Sequence, residues 1–329
     1  MSIQILHDKI IIGNYELVET SAGLSFNGRV QATTEIQSLF QGSTFGYSSG
    51  GWVPTNSNVT DRFPFATNSN ASDVGDLTLA RHGPAGQSSS SHGYTSGGNG
   101  PSIGNTIDRF PFAAGGNSSD VGDLTQIRMN LTGHSSSASG YNSGGYFPPS
   151  TRTNVIDKFP FASNANATDV GDLPQVRTTA GGQSSLFHGY TSGGYVSSPG
   201  PFSNIIDKFP FAVDSGASDV GDLTQARSYG AGQSSTTHGY TSGGELGPGI
   251  VNTIDRFPFA TDSNASDVAD LSQARWYGAG QSSTAFGYTA GGGFPPSNTI
   301  DRFPFASNAN ATDVGDLTQA RYYTTGQQV

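Results

Sequence analysis

Acidic and basic side chains recur at fixed places along this sequence, and such side chains can catalyse proton transfer, bind cations or form ion pairs. Eighteen of the 21 Asp and 12 of the 15 Lys and Arg belong to one repeated motif. Charges that return in every copy favour an architectural role over catalysis. We therefore predict that acids of the Asp123 type bind N–H groups of turns or pair with bases of the Arg128 type. Calcium binding by the segment Asn-Ala-Ser-Asp-Val-Gly-Asp, residues 70–76, is the alternative.

Few other residues could carry enzyme chemistry. Three His precede a Gly-Tyr pair, at His92, His188 and His238, but they belong to separate copies of the motif. We expect these His to pack or to bind turn groups rather than to share a metal ion. The chain has no Cys, no Gly-x-Ser-x-Gly, no His-Glu-x-x-His and no phosphate loop. Polysaccharide cleavage needs two carboxylates, and only Glu245 is an unpaired acid near a predicted loop. We predict no catalytic residue, no metal, no cofactor and no enzyme activity.

The motif itself has four landmarks that recur six times in one order, every 47 to 50 residues. Gly-Tyr-x-x-Gly-Gly begins at Gly46, Gly93, Gly140, Gly189, Gly239 and Gly287. Asp-(Arg/Lys)-Phe-Pro-Phe begins at Asp61, Asp108, Asp157, Asp207, Asp255 and Asp301. Asp-Val-(Gly/Ala)-Asp-Leu begins at Asp73, Asp120, Asp169, Asp219, Asp267 and Asp313. An Arg follows at Arg81, Arg128, Arg177, Arg227, Arg275 and Arg321.

Each copy predicts four short β-strands separated by Gly, Ser and Asn, the spacing of one propeller blade. The first strand follows the Arg, as in Ser228–Ser234, and the second runs into the double Gly, as in Thr236–Ser242. The third is the Ile-Asp-Arg-Phe segment, which ends near Pro64 and its equivalents because Pro cannot donate to a ladder. The fourth centres on Asp-Val-Gly-Asp-Leu. The double Gly predicts a turn with positive φ.

The two ends of the repeated region complete each other. The last copy stops after the strand Tyr322–Gln327 and lacks a double-Gly strand, whereas Ser43–Gly51 is a double-Gly strand with no partner before it. Pairing these two segments completes a sixth blade and removes exposed strand edges. We therefore predict an all-β fold in which residues 42–329 form a closed, six-bladed β-propeller, preceded by a short β arm of residues 1–41.

The landmarks resemble those of the kelch-type propellers. In that family a strand ending in Gly-Gly is followed by an aromatic-containing strand and then by a strand leading to an Arg. Gly-Tyr-Thr-Ser-Gly-Gly, Ile-Asp-Arg-Phe-Pro-Phe and the recurring Arg match that order across residues 42–329. Phe stands where the family has Tyr, and no aromatic residue stands near Val74, where the family has Trp. The resemblance implies a kelch-like ring.

The N-terminal arm resembles a different group of proteins. The segment 17–28, Leu-Val-Glu-Thr-Ser-Ala-Gly-Leu-Ser-Phe-Asn-Gly, and the Val-Gln-Ala-Thr at residues 30–33 are similar to the starts of tailed-phage fibre and decoration proteins. The repeated Phe-Pro-Phe-Ala-Thr-x-Ser-Asn-Ala is similar to structural proteins of marine phages. This resemblance implies that the protein is located in a virion. Because so short an arm cannot bury its own apolar side chains, we expect residues 1–41 to bind other virion proteins.

Charge and hydropathy bear on two other classes of partner. The formal net charge is −10, and no basic stripe is present that could replace the counterions of a nucleic acid. No run of about 18 apolar residues could span a bilayer. We therefore predict neither nucleic-acid binding nor membrane insertion.

Binding residues are expected where the copies differ, in the segment between the double Gly and the Ile-Asp. All six of these segments should emerge on one face of the ring. Aromatic residues beside rigid Pro in these loops suit contact with a protein partner or a sugar, while packing on neighbouring blades is an equal alternative. The predicted partner-binding residues are Trp52, Tyr146, Phe147, Tyr195, Phe202 and Phe294.

Together these features predict a non-enzymatic structural or binding module. The expected role is that of a phage virion surface, decoration or tail-appendage protein anchored by its N-terminal arm. The alternative is a carbohydrate- or receptor-binding protein that uses the aromatic loops to contact a host-surface glycan or receptor.

Overall fold

The computed structural model describes residues 3–5, 9–12, 15–20, 23–26, 41–147, 149, 151–196 and 202–329. All regular elements in these ranges are β-strands, and the described residues include no helix that is long and apolar enough to cross a membrane. The chain divides into two compact units, Met1–Ser38 and Leu39–Val329. The first unit contains one antiparallel sheet, whose strands are Ile3–Ile5, Lys9–Ile12, Tyr15–Thr20 and Gly23–Phe26.

The second unit is a six-bladed β-propeller, and each blade is a four-stranded antiparallel sheet. From the central axis outward, blade 1 contains Thr325–Gln328, Phe45–Ser49, Val59–Pro64 and Ser72–Asp76. Blade 2 contains Ala85–Ser88, His92–Ser96, Thr106–Pro111 and Ser119–Asp123. Blade 3 contains Thr132–Ser135, Ser139–Ser143, Val155–Pro160 and Thr168–Asp172. Blade 4 contains Gly181–Ser184, His188–Ser192, Ile205–Pro210 and Ser218–Asp222. Blade 5 contains Ala231–Ser234, His238–Glu245, Ile250–Pro258 and Ser266–Asp270, and blade 6 contains Ala279–Ser282, Phe286–Ala290, Thr299–Pro304 and Thr312–Asp316.

The ring closes in the way that the two incomplete copies of the motif, at the two ends of the repeated region, predict. The C-terminal strand Thr325–Gln328 pairs antiparallel with Phe45–Ser49, in a register that places Gln327 opposite Tyr47. The innermost strands begin later than predicted: the strand expected at Ser228–Ser234 is Ala231–Ser234. The residues between the Arg and the strand instead form a short crossing from one blade to the next.

Aromatic residues fill the space between blades with one repeated geometry. The Tyr of each second strand packs on the Phe-Pro-Phe of the next blade, so that Tyr94 lies 5.4 Å from Phe159 and 4.8 Å from Phe161. The closing interface is built in the same way, with Tyr288 at 5.6 Å from Phe63 and 4.8 Å from Phe65. Each buried ring contributes roughly 1.5–3 kcal/mol to folding.

A buried ion pair lies at every blade junction, but its acid differs from the one that we predicted. Arg128 pairs with Asp157 at 2.6 Å, and neither side chain has more than 1 % of its surface exposed. The predicted partner, Asp123, belongs to the outer strand, where its own N–H binds Asn166 Oδ1. The acid that does pair is the Asp that opens Asp-(Arg/Lys)-Phe-Pro-Phe in the following blade. The other five pairs are Arg81–Asp108, Arg177–Asp207, Arg227–Asp255, Arg275–Asp301 and Arg321–Asp61.

Further hydrogen bonds satisfy the groups of this junction. Arg128 also donates to the carbonyls of Gly144 and Val155. Thr125, on the same crossing, donates its N–H and its hydroxyl to the two oxygens of Asp157. Burial lowers the pKa of Arg128, and the charge of Asp157 opposes that shift. The crossing is thus tied to the blade that it leads into.

The six innermost strands surround the axis so closely that their central residue must be Gly. A Cβ on Gly280 would lie 2.1 Å from the carbonyl oxygen of Gly232, and one on Gly86 would lie 2.2 Å from that of Gly326. The next position is a buried Gln in five blades, and its amide links neighbouring blades, as Gln233 Nε2 does to Tyr288 O at 3.0 Å. In blade 3 this position is His134 instead.

We expect Pro174→Thr to stabilise the ring, because Asp207 is the one junction acid that faces Pro where the other crossings carry Thr or Ser. Asp207 Oδ1 is buried without a partner, and burial raises the pKa of this carboxyl against the opposing charge of Arg177. The N–H and hydroxyl of the new Thr would donate two hydrogen bonds to the Asp207 carboxylate. Because these bonds contribute more than the backbone rigidity that is lost with Pro, we expect a net gain of about 1–2 kcal/mol in the free energy of unfolding. Thermal unfolding measures it. Pro174→Ala restores only the N–H and should gain less; equal stability of the two variants would contradict the assignment.

The buried His134 predicts that the free energy of unfolding depends on pH. Replacing it with Gln, the residue at this position in the other five blades, should remove this dependence. The side chain is buried, its Nδ1 donates to Gln183 O, its Nε2 accepts from Ser143 Oγ, and burial lowers its pKa to about 4. As the pH falls, His134 binds a proton near pH 6.5 in the unfolded chain but only near pH 4 in the folded protein. The contribution of neutral His134 to the free energy of unfolding is therefore complete above about pH 6.5 and is lost as the pH falls toward 4. The loss is on the order of 3 kcal/mol at pH 4. Urea unfolding of wild type and His134→Gln at several pH values should show a gap that widens on acidification, and parallel pH profiles would refute it.

Candidate binding face

The six variable loops lie on one face of the ring, as predicted. Each double-Gly strand ends beside the start of the innermost strand of its blade, as in the pairing of Ala85 with Ser96. The double Gly then turns outward with positive φ, 66° at Gly50 and 115° at Gly51. The crossing residues after each Arg reach the same face, where Trp52 N–H donates to Tyr322 O at 2.8 Å. We call this side of the propeller the loop face.

The structure divides the six predicted binding residues among three places on the loop face. Phe294 is 71 % exposed and Trp52 is half-buried. Tyr195 and Phe202 pack edge to face at 5.4 Å. The Arg152 guanidinium lies 4.7 Å from the centre of the Tyr195 ring. Tyr146 and Phe147 form one strand of a small hairpin with Thr151–Arg152.

The loop face also contains a second set of variable residues, which we did not predict from the sequence. The two residues that follow each junction Arg differ in every copy, and three copies carry aromatic residues at the second position. The pairs are His82-Gly83, Met129-Asn130, Thr178-Thr179, Ser228-Tyr229, Trp276-Tyr277 and Tyr322-Tyr323. The signal was present in the sequence, because the pair varies between two constant elements, the Arg and the innermost strand. We had assigned these residues to the strand itself.

These residues bring eight rings into one continuous group, which we call the mouth cluster. Tyr277 lies at its centre, with ring centres 3.5 Å from Tyr323, 3.9 Å from Tyr229 and 5.0 Å from Trp276. Tyr323 and Trp52 both contact His82, at 5.2 Å and 5.1 Å. The cluster comprises Trp52, His82, Tyr229, Trp276, Tyr277, Phe294, Tyr322 and Tyr323. It contains both Trp of the chain.

Beneath the cluster, a closed cycle of backbone hydrogen bonds encircles the axis. Each second crossing residue donates its N–H to the carbonyl of its equivalent in the preceding blade, over distances of 2.7 to 3.1 Å. All six have left-handed backbone conformations, with φ between 54° and 64°. The members of this rim are Gly83, Asn130, Thr179, Tyr229, Tyr277 and Tyr323. Gly and Asn adopt this conformation readily, whereas Thr and Tyr are strained in it.

Burial favours the neutral forms of four ionisable groups of the mouth cluster. Burial raises the pKa of Tyr323 to about 12 and raises those of Tyr277 and Tyr229 as well. Burial lowers the pKa of His82. The phenol groups are therefore hydrogen-bonding groups at neutral pH, and the Tyr323 hydroxyl bonds to that of Tyr277.

The rim surrounds the opening of a channel along the axis. An opening of about 90 Å³ is lined by rim residues and by Pro84. It shares lining residues with a channel of about 160 Å³ between the innermost strands. At the far end, Gln41 is buried and donates its side chain to Ser234 O, while Gly42 N–H donates to Ser282 O. The chain therefore enters the propeller on the face opposite the mouth cluster.

The acids and His that we weighed as metal ligands form local hydrogen bonds. Asp73 Oδ1 accepts the N–H of Gly75 at 3.1 Å. The His92 ring bonds to the Ser91 hydroxyl at 2.8 Å and lies 6.5 Å from the Tyr94 ring. Among the residues that the structure describes, no group of three or more His, Asp or Glu could hold one ion.

Comparison with known proteins identifies no family for this chain. No protein-family model matches the chain, and no curated protein matches it.

The strained rim predicts that Thr179→Gly stabilises the protein. Thr179 has φ of 61°, a conformation that costs a β-branched residue about 1–2 kcal/mol, and Gly83 already occupies the equivalent position. Gly loses more backbone entropy on folding than Thr, which offsets part of the relieved strain. The expected gain is therefore about 1 kcal/mol in the free energy of unfolding. Urea unfolding measures it. Thr132→Gly, in a regular innermost strand, is the control and should destabilise; destabilisation by both would show that the rim is not strained.

Proposed function

We propose that this protein is a non-enzymatic binding module of a tailed-phage virion, attached through its N-terminal residues and binding through its loop face. The observation that carries the proposal is the mouth cluster, a continuous group of eight rings on the loop face. Aromatic side chains dominate the energetics of protein recognition surfaces. The constant residues support this division of roles, since the recurring acids and bases are used in blade junctions and turns.

The attachment role draws support from two features. Residues 17–33 are similar to the starts of tailed-phage fibre and decoration proteins. The chain also forms a separate compact unit before the ring, Met1–Ser38, and enters the ring at Gln41, on the face away from the mouth cluster. A module built in this way could be anchored without covering its binding face. The kelch-like assignment of the ring belongs to the same proposal and rests on the order of Gly-Gly, aromatic strand and Arg.

Carbohydrate or receptor binding is the second candidate function. It is favoured by the polar and aromatic groups that meet at the channel mouth, and by the exposed Phe294 beside them. In this case the ring would recognise a host surface, and the N-terminal unit would still attach it to the particle.

Removing residues 1–38 tests the attachment role. We expect a ring that folds with an unchanged circular dichroism spectrum and unfolding midpoint, because Gln41 and the closing strand pair remain. We expect its incorporation into particles to fall to background in a complementation assay scored by immunoblotting of purified virions. The matched control is Phe187→Ala, which changes an exposed ring of the propeller and should be incorporated normally. Normal incorporation of the truncated protein would refute the attachment role.

A further inference from the structure

The channel mouth has the properties of a ligand site that the loop sequences alone do not indicate. Three neighbouring rim positions carry Tyr in a left-handed conformation, with φ of 61° at Tyr229, 58° at Tyr277 and 60° at Tyr323. Backbone strain of this kind costs about 1–3 kcal/mol per residue and is concentrated at functional sites. Gly83 and Asn130 show that the rim can be built without this cost.

The two halves of the rim differ in chemistry. Tyr229, Tyr277 and Tyr323 line one side of the opening, while Gly83, Asn130 and Thr179 line the other. The Asn130 side chain forms no hydrogen bond among the described residues. Aromatic rings therefore line one side of the opening, and small or polar residues line the other.

The lining excludes charged ligands. Among the residues that the structure describes, those lining the opening and the channel behind it include no Asp, Glu, Lys or Arg, and burial keeps His134 neutral at neutral pH. An ionised ligand would lose its hydration there without gaining a partner of opposite charge. A purely apolar ligand would leave the Asn130 amide at the opening without a partner.

We propose that the channel mouth binds a neutral sugar, with the sugar ring against the three Tyr and its hydroxyls toward Asn130 and the channel. A sugar is uncharged, carries hydroxyls around its edge and presents C–H groups on its face, which suit an aromatic ring. The opening has a volume of about 90 Å³ and the channel behind it one of about 160 Å³. Such a site takes a terminal or branch sugar rather than the middle of a chain.

This inference rests on the proposed function, because it assigns a ligand class to the binding face. Titration of the full-length protein with methyl glycosides of glucose, galactose, mannose and N-acetylglucosamine tests it directly. Both Trp lie in the mouth cluster, so intrinsic Trp fluorescence reports on the site. At least one glycoside should bind with a Kd of about 10 mM or tighter.

Variants of the rim localise the binding. Tyr277→Asn puts at this position the residue that Asn130 already shows to fit, and should weaken binding about tenfold or more. Asn130→Gly keeps the backbone conformation, removes the amide and should also weaken binding. Phe187→Ala removes an exposed ring on the opposite face and should bind as wild type does.

The inference is wrong if wild type binds none of the four glycosides, or if both rim variants bind as wild type does. Retained binding in a folded Tyr277→Asn together with loss in Phe187→Ala would place the sugar elsewhere and would equally overturn it. The truncation of residues 1–38 leaves the rim intact. Attachment to the particle and sugar binding can therefore fail independently, and each failure is recognised by its own assay.

Discussion

The rest of the propeller depends on the buried ion pair between an Arg of one blade crossing and an Asp within the third strand of the next blade. Arg128 and Asp157 illustrate it: the Asp lies within a ladder, the Arg lies on the connection, and their contact joins two separately formed sheets. Removing one partner of such a pair costs about 3–5 kcal/mol because the other charge is left buried. Six such junctions leave every blade attached to both of its neighbours, and Arg321–Asp61 does the same across the joined ends of the ring.

Because the junctions set the distance between blades, the innermost strands are forced into close contact. Gly232 and Gly280 show the limit, since the carbonyl oxygen of one lies where a Cβ of the other would be. The same geometry brings the second crossing residues into hydrogen-bond range of one another, which produces the cycle at the rim. A left-handed conformation at Tyr229 or Thr179 follows from this closure.

The parts of this fold that could be predicted are those that depend on local chemistry. Pro64 ends a strand because it has no N–H, and Gly50 and Gly51 turn with positive φ. Closure was predictable because two incomplete copies, one ending with Gln327 and one beginning with Ser43, complement each other. The partner of Arg128 was not predictable, since Asp123 is near in sequence while Asp157 is near only across a blade boundary. The mouth cluster was missed for a related reason: Tyr323 and His82 lie near opposite ends of the repeated region and meet only because the ring closes.

The architecture also explains why the crossing residues on the loop face can vary. Both residues after Arg321 lie outside the junction, so they can change without disturbing the Asp61 pair, the packing of Tyr288 on the next blade or the innermost strand. Their backbone, however, is held by the rim cycle, and a large residue there must accept strain. Three adjacent copies carry Tyr under that constraint, whereas Gly83 and Asn130 avoid it. A ring of nearly identical blades is thus asymmetric at the rim, where six crossing positions converge on the axis, and the ligand that we propose for this place would contact several blades at once.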